Sequence, residues 1–451
     1  MEIKRSLLLS ALALTLSASG NPLSTLRATE ESVRLRTAID RPLLDQGDGE
    51  RKVVIKIEVE GNAVAQKKRT PLNLAIVLDR SGSMSGSKLE QAKQAAALLV
   101  DELDRDDVLS IVLYESEIQV VRSAARVGDQ HREIKRLIER IETGGSTALY
   151  GGVEEGSRQL REFLSKERIN RVMLLSDGIA NVGPSDNREI AALGTRIARE
   201  GMSVTTIGLG SDYNETLMTA LAEASDANYY YVADVEKLPQ VFEKELGELK
   251  SIVAREVVIE IRCPEGIRPL RFLGRPGELK SGTETITFST LSSGQARELY
   301  LECLVSEAAL GRVNEIAQVS MRYADPLTSV VVEKNGSPVV IGYSTDKELV
   351  TRSVNQGIAA EATIFANAEE TEKAIALADK GDAEGSRRQL DVQLRTLNEA
   401  LATAPAAQQS ALSKEIDAVA GAREELNNDK LSNEQRKKLS NGSWMLRNAK
   451  R

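Results

Sequence analysis

From Leu72 to Leu78 the chain is apolar at every position except Asn73, and the run ends at Asp79. Such a run predicts a strand buried on both faces, as in a parallel sheet. Ser81 and Ser83 follow in a Gly-containing loop that is expected to turn sharply at Gly82, and Ser87 with Glu90 reads as an S-x-x-E capping box opening a helix. Leu89, Ala92, Ala96, Leu99 and Leu103 then step by three and four along one helix face. The alternation continues to residue 250. Strands are predicted at 108–114, 171–176, 204–209 and 228–232, with an edge strand at 118–125. Helices are predicted at 134–141, 150–164, 190–198, 217–224 and 238–249. Six strands with interleaved helices predict an α/β fold, a doubly wound and mostly parallel sheet of Rossmann-like form, over residues 71–250.

Outside that segment the period is two. Ile55, Ile57 and Val59 face one way, Lys56 and Glu58 the other, which predicts a half-exposed antiparallel strand. Residues 251–344 hold strands at short spacing, at 257–263, 286–291, 298–305, 316–323 and 329–333, and Asn335–Gly336 marks a tight turn. This predicts an antiparallel β-sandwich. Strands in residues 31–70 are of the same kind, so they are expected to join the sandwich, with the α/β domain inserted between. Residues 345–451 are rich in Ala, Glu and Arg and predict a helical hairpin or small bundle. Its breaks are expected at 380–382, at Pro405 and at 427–429, and the last helix holds the only tryptophan, Trp444.

At 451 residues the chain needs more than one core. A net charge of −8 with 3% aromatics argues against nucleic acid, whose phosphates demand a basic face. Lys4 and Arg5 before an apolar stretch, with small Ala18 and Gly20 after it, read residues 1–20 as a signal peptide. The expected location is therefore periplasmic or extracellular. No apolar run is long enough to span a bilayer, so any membrane association is expected to be peripheral. Cys263 and Cys303 both sit at ends of predicted strands. A disulfide across the sandwich and two buried free thiols are both open readings.

The chemistry gathers in three places. Asp79, Ser81 and Ser83 form D-x-S-x-S after a buried strand, Thr147 ends a Gly-Gly-Ser-Thr loop, and Asp177 with Gly178 ends the next buried strand. In this arrangement residues 70–250 resemble a von Willebrand factor type A (VWA) domain with a metal-ion-dependent adhesion site, and all five motif positions match. The resemblance implies that Ser81, Ser83 and at times Thr147 bind a divalent cation directly, with Asp79 and Asp177 acting partly through water. Oxygen donors suit Mg2+, with Mn2+ or Ca2+ as alternatives. It further implies an open coordination position for an Asp or Glu carboxylate of an unidentified partner protein. The strands flanking the domain are similar in arrangement to those of bacterial exported proteins and inter-alpha-trypsin-inhibitor-like chains.

The expected function is thus non-enzymatic, metal-dependent protein binding or adhesion. A structural or assembly role in the cell envelope, in which the metal only stabilises the loops, is the alternative. A third reading takes Ser85-x-x-Lys88, Ser185-Asp186-Asn187 and Lys280-Ser-Gly282 as the motifs of a penicillin-binding acyl enzyme. It is disfavoured because Lys88 lies inside the expected capping box, and Ser185–Asn187 reads as a helix cap. His131, the only histidine, is expected on a solvated helix face and cannot build a His-rich zinc site.

Overall fold

The computed structural model describes residues 32–448 except 46–48, 64–68, 180, 276, 278, 280–281, 310, 312–313 and 429. The expected signal peptide, residues 1–20, lies outside the described residues. The chain opens with β1 (Val33–Ile39), β2 (Leu43–Asp45) and β3 (Arg51–Gly61). Strands and helices then alternate through β4 (Leu72–Asp79), α1 (Ser87–Asp101), β5 (Val108–Tyr114), β6 (Ile118–Arg126), α2 (His131–Glu139) and α3 (Leu149–Arg161). They continue through β7 (Ile169–Ser176), α4 (Asn187–Arg199), β8 (Ser203–Leu209), α5 (Glu215–Ala224), β9 (Tyr229–Val232) and α6 (Leu238–Lys250). Next come β10 (Ile252–Arg262), β11 (Ile267–Phe272), β12 (Thr283–Ser292), β13 (Ala296–Val305), β14 (Glu315–Ala324), β15 (Val331–Asn335), β16 (Val339–Val340) and β17 (Gly342–Ser344). The chain closes with α7 (Lys347–Ser353), α8 (Gln356–Asp379), α9 (Ala383–Thr403), α10 (Ala406–Glu425) and α11 (Asn433–Arg447).

The central sheet has the order β6-β5-β4-β7-β8-β9, parallel throughout except for β6. Leu72, Leu74, Ile76 and Leu78 of β4 pack with α1, α2 and α6, while Ala75 and Val77 pack with α3, α4 and α5. Both faces are covered, which is why this strand is apolar at nearly every position. Its one polar interior residue, Asn73, donates from Nδ2 to the Leu160 carbonyl and to Asn170 Oδ1, both at 2.9 Å. Strand order reverses at β4, between β5 and β7. In such sheets ligands bind at the carboxyl ends of the strands at that point.

The sandwich pairs a β1-β3-β13-β11 sheet with a β12-β10-β14-β15 sheet, to which β16 adds along β14. β3 and β13 pair antiparallel from Arg51↔Val305 to Glu60↔Ala296, across the whole α/β segment. Their inward residues, Val53, Ile55, Ile57 and Val59 with Leu299, Leu301, Cys303 and Val305, belong to one apolar core. The period-two pattern does not predict β11, because Arg268, Pro269 and Arg271 interrupt it. As the edge strand of its sheet it tolerates the missing Pro N–H. Asn335–Gly336 closes no hairpin: β15 and β16 flank it, and both pair with β14.

The C-terminal helices break at Gly381, Pro405 and Asn427–Asn428. α8, α9 and α10 share a core with Leu439 of α11. Trp444 leaves that core and enters the one beneath the central sheet, fully buried, with its ring edge-on to Tyr229 at 5.8 Å. On the same helix Lys437 donates to the Tyr213 carbonyl at 2.8 Å and pairs with Glu215 at 2.7 Å, and Arg436 bridges Glu215 and Asp379. α8 is tied to the sandwich where Glu361 meets Lys56 at 2.8 Å and the Tyr300 hydroxyl at 2.7 Å.

Candidate metal site

Asp79 ends β4 and Asp177 follows β7. The two strands are adjacent and parallel, so both carboxylates emerge at the same rim of the sheet. Ser81 and Ser83 lie in the loop after β4. That loop turns as a 3-10 segment, Gly82–Met84, in which Met84 N donates to the Ser81 carbonyl at 3.0 Å. Fully buried Met84 pins it from below. The loop turns at Gly82, where the 3-10 segment begins, and the residue with positive φ is Gly86, at 78°. Gly86 is also the N-cap of α1, and no side chain caps it. The expected capping box is therefore absent: Ser87 is already helical.

Backbone hydrogen bonds lace the loops together. Gly144 N donates to the Arg80 carbonyl at 2.7 Å, and Gly82 N to the Gly145 carbonyl at 3.2 Å. Gly145 adopts φ of 46°, and a Cβ there would collide with the Glu115 carboxylate. Asp79 Oδ1 accepts from Ser81 N and Oδ2 from Ser176 Oγ, each at 2.9 Å. Ser81 Oγ and Ser83 Oγ are 3.1 Å apart, and Ser83 Oγ donates to Asp177 Oδ1 at 2.7 Å. Thr147 joins from the third loop: a Cβ on Gly178 would stand 3.1 Å from Thr147 Oγ1 and 3.5 Å from Ser83 Oγ. All five residues are thus brought into one cluster. Asp79, Ser81, Thr147 and Asp177 are buried, and Ser83 is exposed at the mouth.

Three further residues belong to this cluster and escape the sequence reading. Lys88 Nζ donates to Asp177 Oδ2 at 2.5 Å, from the first turn of α1. Ser176 orients Asp79, as above. The Tyr114 hydroxyl donates to the Leu175 carbonyl at 2.9 Å, and its phenol lies close enough to Asp79 to feel its charge. The position of Ser176 next to Asp177 was the only available signal, since its partner is distant in sequence.

Burial pushes the Asp79 carboxyl up to about 6, against the pull of its Ser81 and Ser176 hydrogen bonds. The native state therefore holds a proton that the unfolded chain has lost between about pH 4 and 6, and stability from this group falls as pH rises through that window. In metal-free protein, wild type should lose about 1 kcal/mol relative to Asp79→Asn between pH 5 and 7. Urea unfolding of both proteins at the two pH values checks this. A constant difference would contradict it.

Two carboxylates and three hydroxyls make an all-oxygen donor set that fits a hard dication. Among the described residues no group of three His, Cys, Asp or Glu forms a metal cluster, so the hydroxyls are integral to this one. The acyl-enzyme arrangement is not assembled: Ser85 Oγ donates to the Gly82 carbonyl at 2.8 Å while Lys88 is engaged with Asp177. Asp186 caps α4 through Arg188 N. Lys280 and Ser281 lie outside the described residues. His131 is half-buried rather than solvated, and its ring bonds the Leu103 carbonyl at 3.0 Å.

Residues 73–244 match the family model of the von Willebrand factor type A domain. The chain carries a VWA domain. Its whole layout, flanking sheets and helices included, is similar to a solved von Willebrand factor type A protein from Catenulispora acidiphila. The TM-score is 0.66 at 16% identity, over 92% of this chain and 98% of that one. Among curated proteins it is similar to Synechocystis protein sll0103, 27% identical over 63% of this chain and 69% of that protein. It is also similar to Escherichia coli YfbK, 28% identical over 50% of this chain but only 40% of YfbK. No helix among the described residues is long and apolar enough to cross a membrane.

Proposed function

We propose that this VWA protein is an exported, non-enzymatic interaction protein that binds an Asp or Glu carboxylate of a partner protein through a divalent cation. The observation that carries the reading is the oxygen cluster joining three loops at the switch point of the sheet, with Ser83 exposed at its mouth. Asp79, Ser81, Ser83, Thr147 and Asp177 would hold the cation, Mg2+ or else Mn2+ or Ca2+. Once bound, it would offer the partner's carboxylate a Lewis-acidic contact. The three hydroxyls are neutral, so they hold the ion without cancelling its charge. Ser176 and Ser81 N fix the orientation of Asp79, and Ser83 fixes Asp177. Export to the periplasm or beyond rests on the basic-then-apolar pattern of residues 1–20.

The test is a pull-down from the native envelope with and without EDTA. Chelation should abolish capture of the partner, and Mg2+ or Mn2+ should restore it. Capture that survives both chelation and Asp79→Ala would overturn the reading.

A second reading has one observation in its favour. Lys88 already neutralises Asp177, so the loops are closed by an internal cation. In that case metal would raise the melting temperature with no partner engaged. Lys88 also makes a prediction of its own. Its ammonium repels an incoming dication, so Lys88→Met should raise Mn2+ affinity about 10-fold, equivalent to ~1.4 kcal/mol. Isothermal titration reads this directly. Unchanged or weaker binding would show that Lys88 serves to position Asp177 rather than to oppose the ion.

A further inference from the structure

Cys263 and Cys303 stand apart from the metal site and are unused by it. Cys263 directly follows β10, in one sheet of the sandwich, and Cys303 lies within β13, in the other. Both face the same apolar core. They are free thiols packed into that one core, near enough for each to shift the titration of the other. Their environments differ. Cys303 is fully buried, whereas Cys263 is partly open to solvent. The backbone of Cys263 is pinned, its N–H donating to the Gly282 carbonyl at 2.6 Å.

We propose that Cys263 and Cys303 are a thiol–disulfide exchange site that closes into a disulfide between the two sheets. The oxidant is a small-molecule disulfide such as oxidised glutathione. The Cys263 thiolate attacks one sulfur of that reagent, forming a mixed disulfide and releasing one glutathione thiolate. Cys303 then loses its proton, attacks the Cys263 sulfur and expels the second glutathione. The two protein thiols are oxidised by two electrons, and one reagent disulfide is reduced to two thiols. The order of attack follows from access, since only Cys263 can be reached from solvent. The thiols also divide the roles chemically. The neighbouring Cys303 thiol holds Cys263 below the ordinary thiol value, and the Cys263 sulfur, together with burial, pushes Cys303 up.

The bond would tie together the two sheets of the sandwich, both cysteines lying in the segment that follows the inserted VWA domain. β13 is hydrogen-bonded along its length to β3, which precedes the inserted VWA domain, and β10 begins just after it. It would close a loop of roughly 40 residues, long enough to restrict the unfolded chain appreciably.

The full chain, purified under reductant, is incubated with oxidised glutathione and mapped by non-reducing peptide mass spectrometry. The expected result is a cross-linked Cys263–Cys303 peptide and loss of both titratable thiols in denaturant. A rise of about 5 °C in melting temperature should accompany them and be reversed by dithiothreitol. Cys303→Ala should instead trap a stable glutathione adduct on Cys263. Two thiols still titratable after oxidant, or an adduct on Cys263 of the wild type that never closes, would overturn the proposal.

Discussion

Asp79→Asn is expected to weaken Mg2+ and Mn2+ binding by roughly 100-fold, the upper range for loss of a carboxylate that supports a metal shell. Asp79 is fully buried and touches both halves of the site, through Ser81 of its own loop and Ser176 of β7. Removing its charge therefore removes half of the site's formal negative charge, the remainder being on Asp177. The same substitution relieves an unfavourable burial, since the carboxyl is pushed up to about 6 in the metal-free protein. Two opposite signs follow. Above pH 7 the variant should match or exceed wild type in metal-free stability. In excess metal it should lack the stabilisation wild type gains, about 2.7 kcal/mol at a hundred times the dissociation constant. Thermal melts with EDTA and with Mn2+ measure both. An equal metal-induced shift in the two proteins would show that Asp79 does not support the ion.

Trp444→Ala is expected to cost about 3–5 kcal/mol, the range for truncating a large buried aromatic. Trp444 is fully buried against Tyr229 and is the point at which the C-terminal helix enters the VWA core. A drop of roughly 10 °C in melting temperature would follow. Because Trp444 is the only tryptophan, its fluorescence offers a second reading in a different variant. Lys437→Met leaves Glu215 with Arg436 as its remaining ionic partner. If α11 is held by that clamp, Trp444 emission should shift to the red. A blue-shifted, unchanged emission would mean that apolar packing alone holds the helix.

The oxygen residues of the site were legible as types and as positions after buried strands: D-x-S-x-S behind an apolar run, a Thr after paired glycines, an Asp after a second apolar run. Lys88 was not legible as part of the cluster. Its proximity to Asp177 depends on where the first turn of α1 starts, and the sequence placed a capping box there. Gly86, by adopting the left-handed conformation, starts the helix without a side-chain cap and leaves the first-turn lysine free to reach the site. Ser176 and Tyr114 went unread because their partners lie on other strands, distant in sequence. β11 was missed because edge strands do not need two apolar faces or an unbroken hydrogen-bond ladder.

The chain's own pattern determined the fold class. A strand apolar at nearly every position requires cover on both faces, and a strand with one apolar stripe requires a single core, so the sequence separates a parallel α/β layer from an antiparallel sandwich. Tertiary structure alone decided the register by which β3 meets β13, the approach of Cys263 to Cys303, the capture of Asp177 by Lys88, and the docking of Trp444 beneath the sheet rather than in its own bundle. These are contacts between residues far apart in sequence. Local periodicity carries which face of an element is buried, but not which distant face it will be buried against.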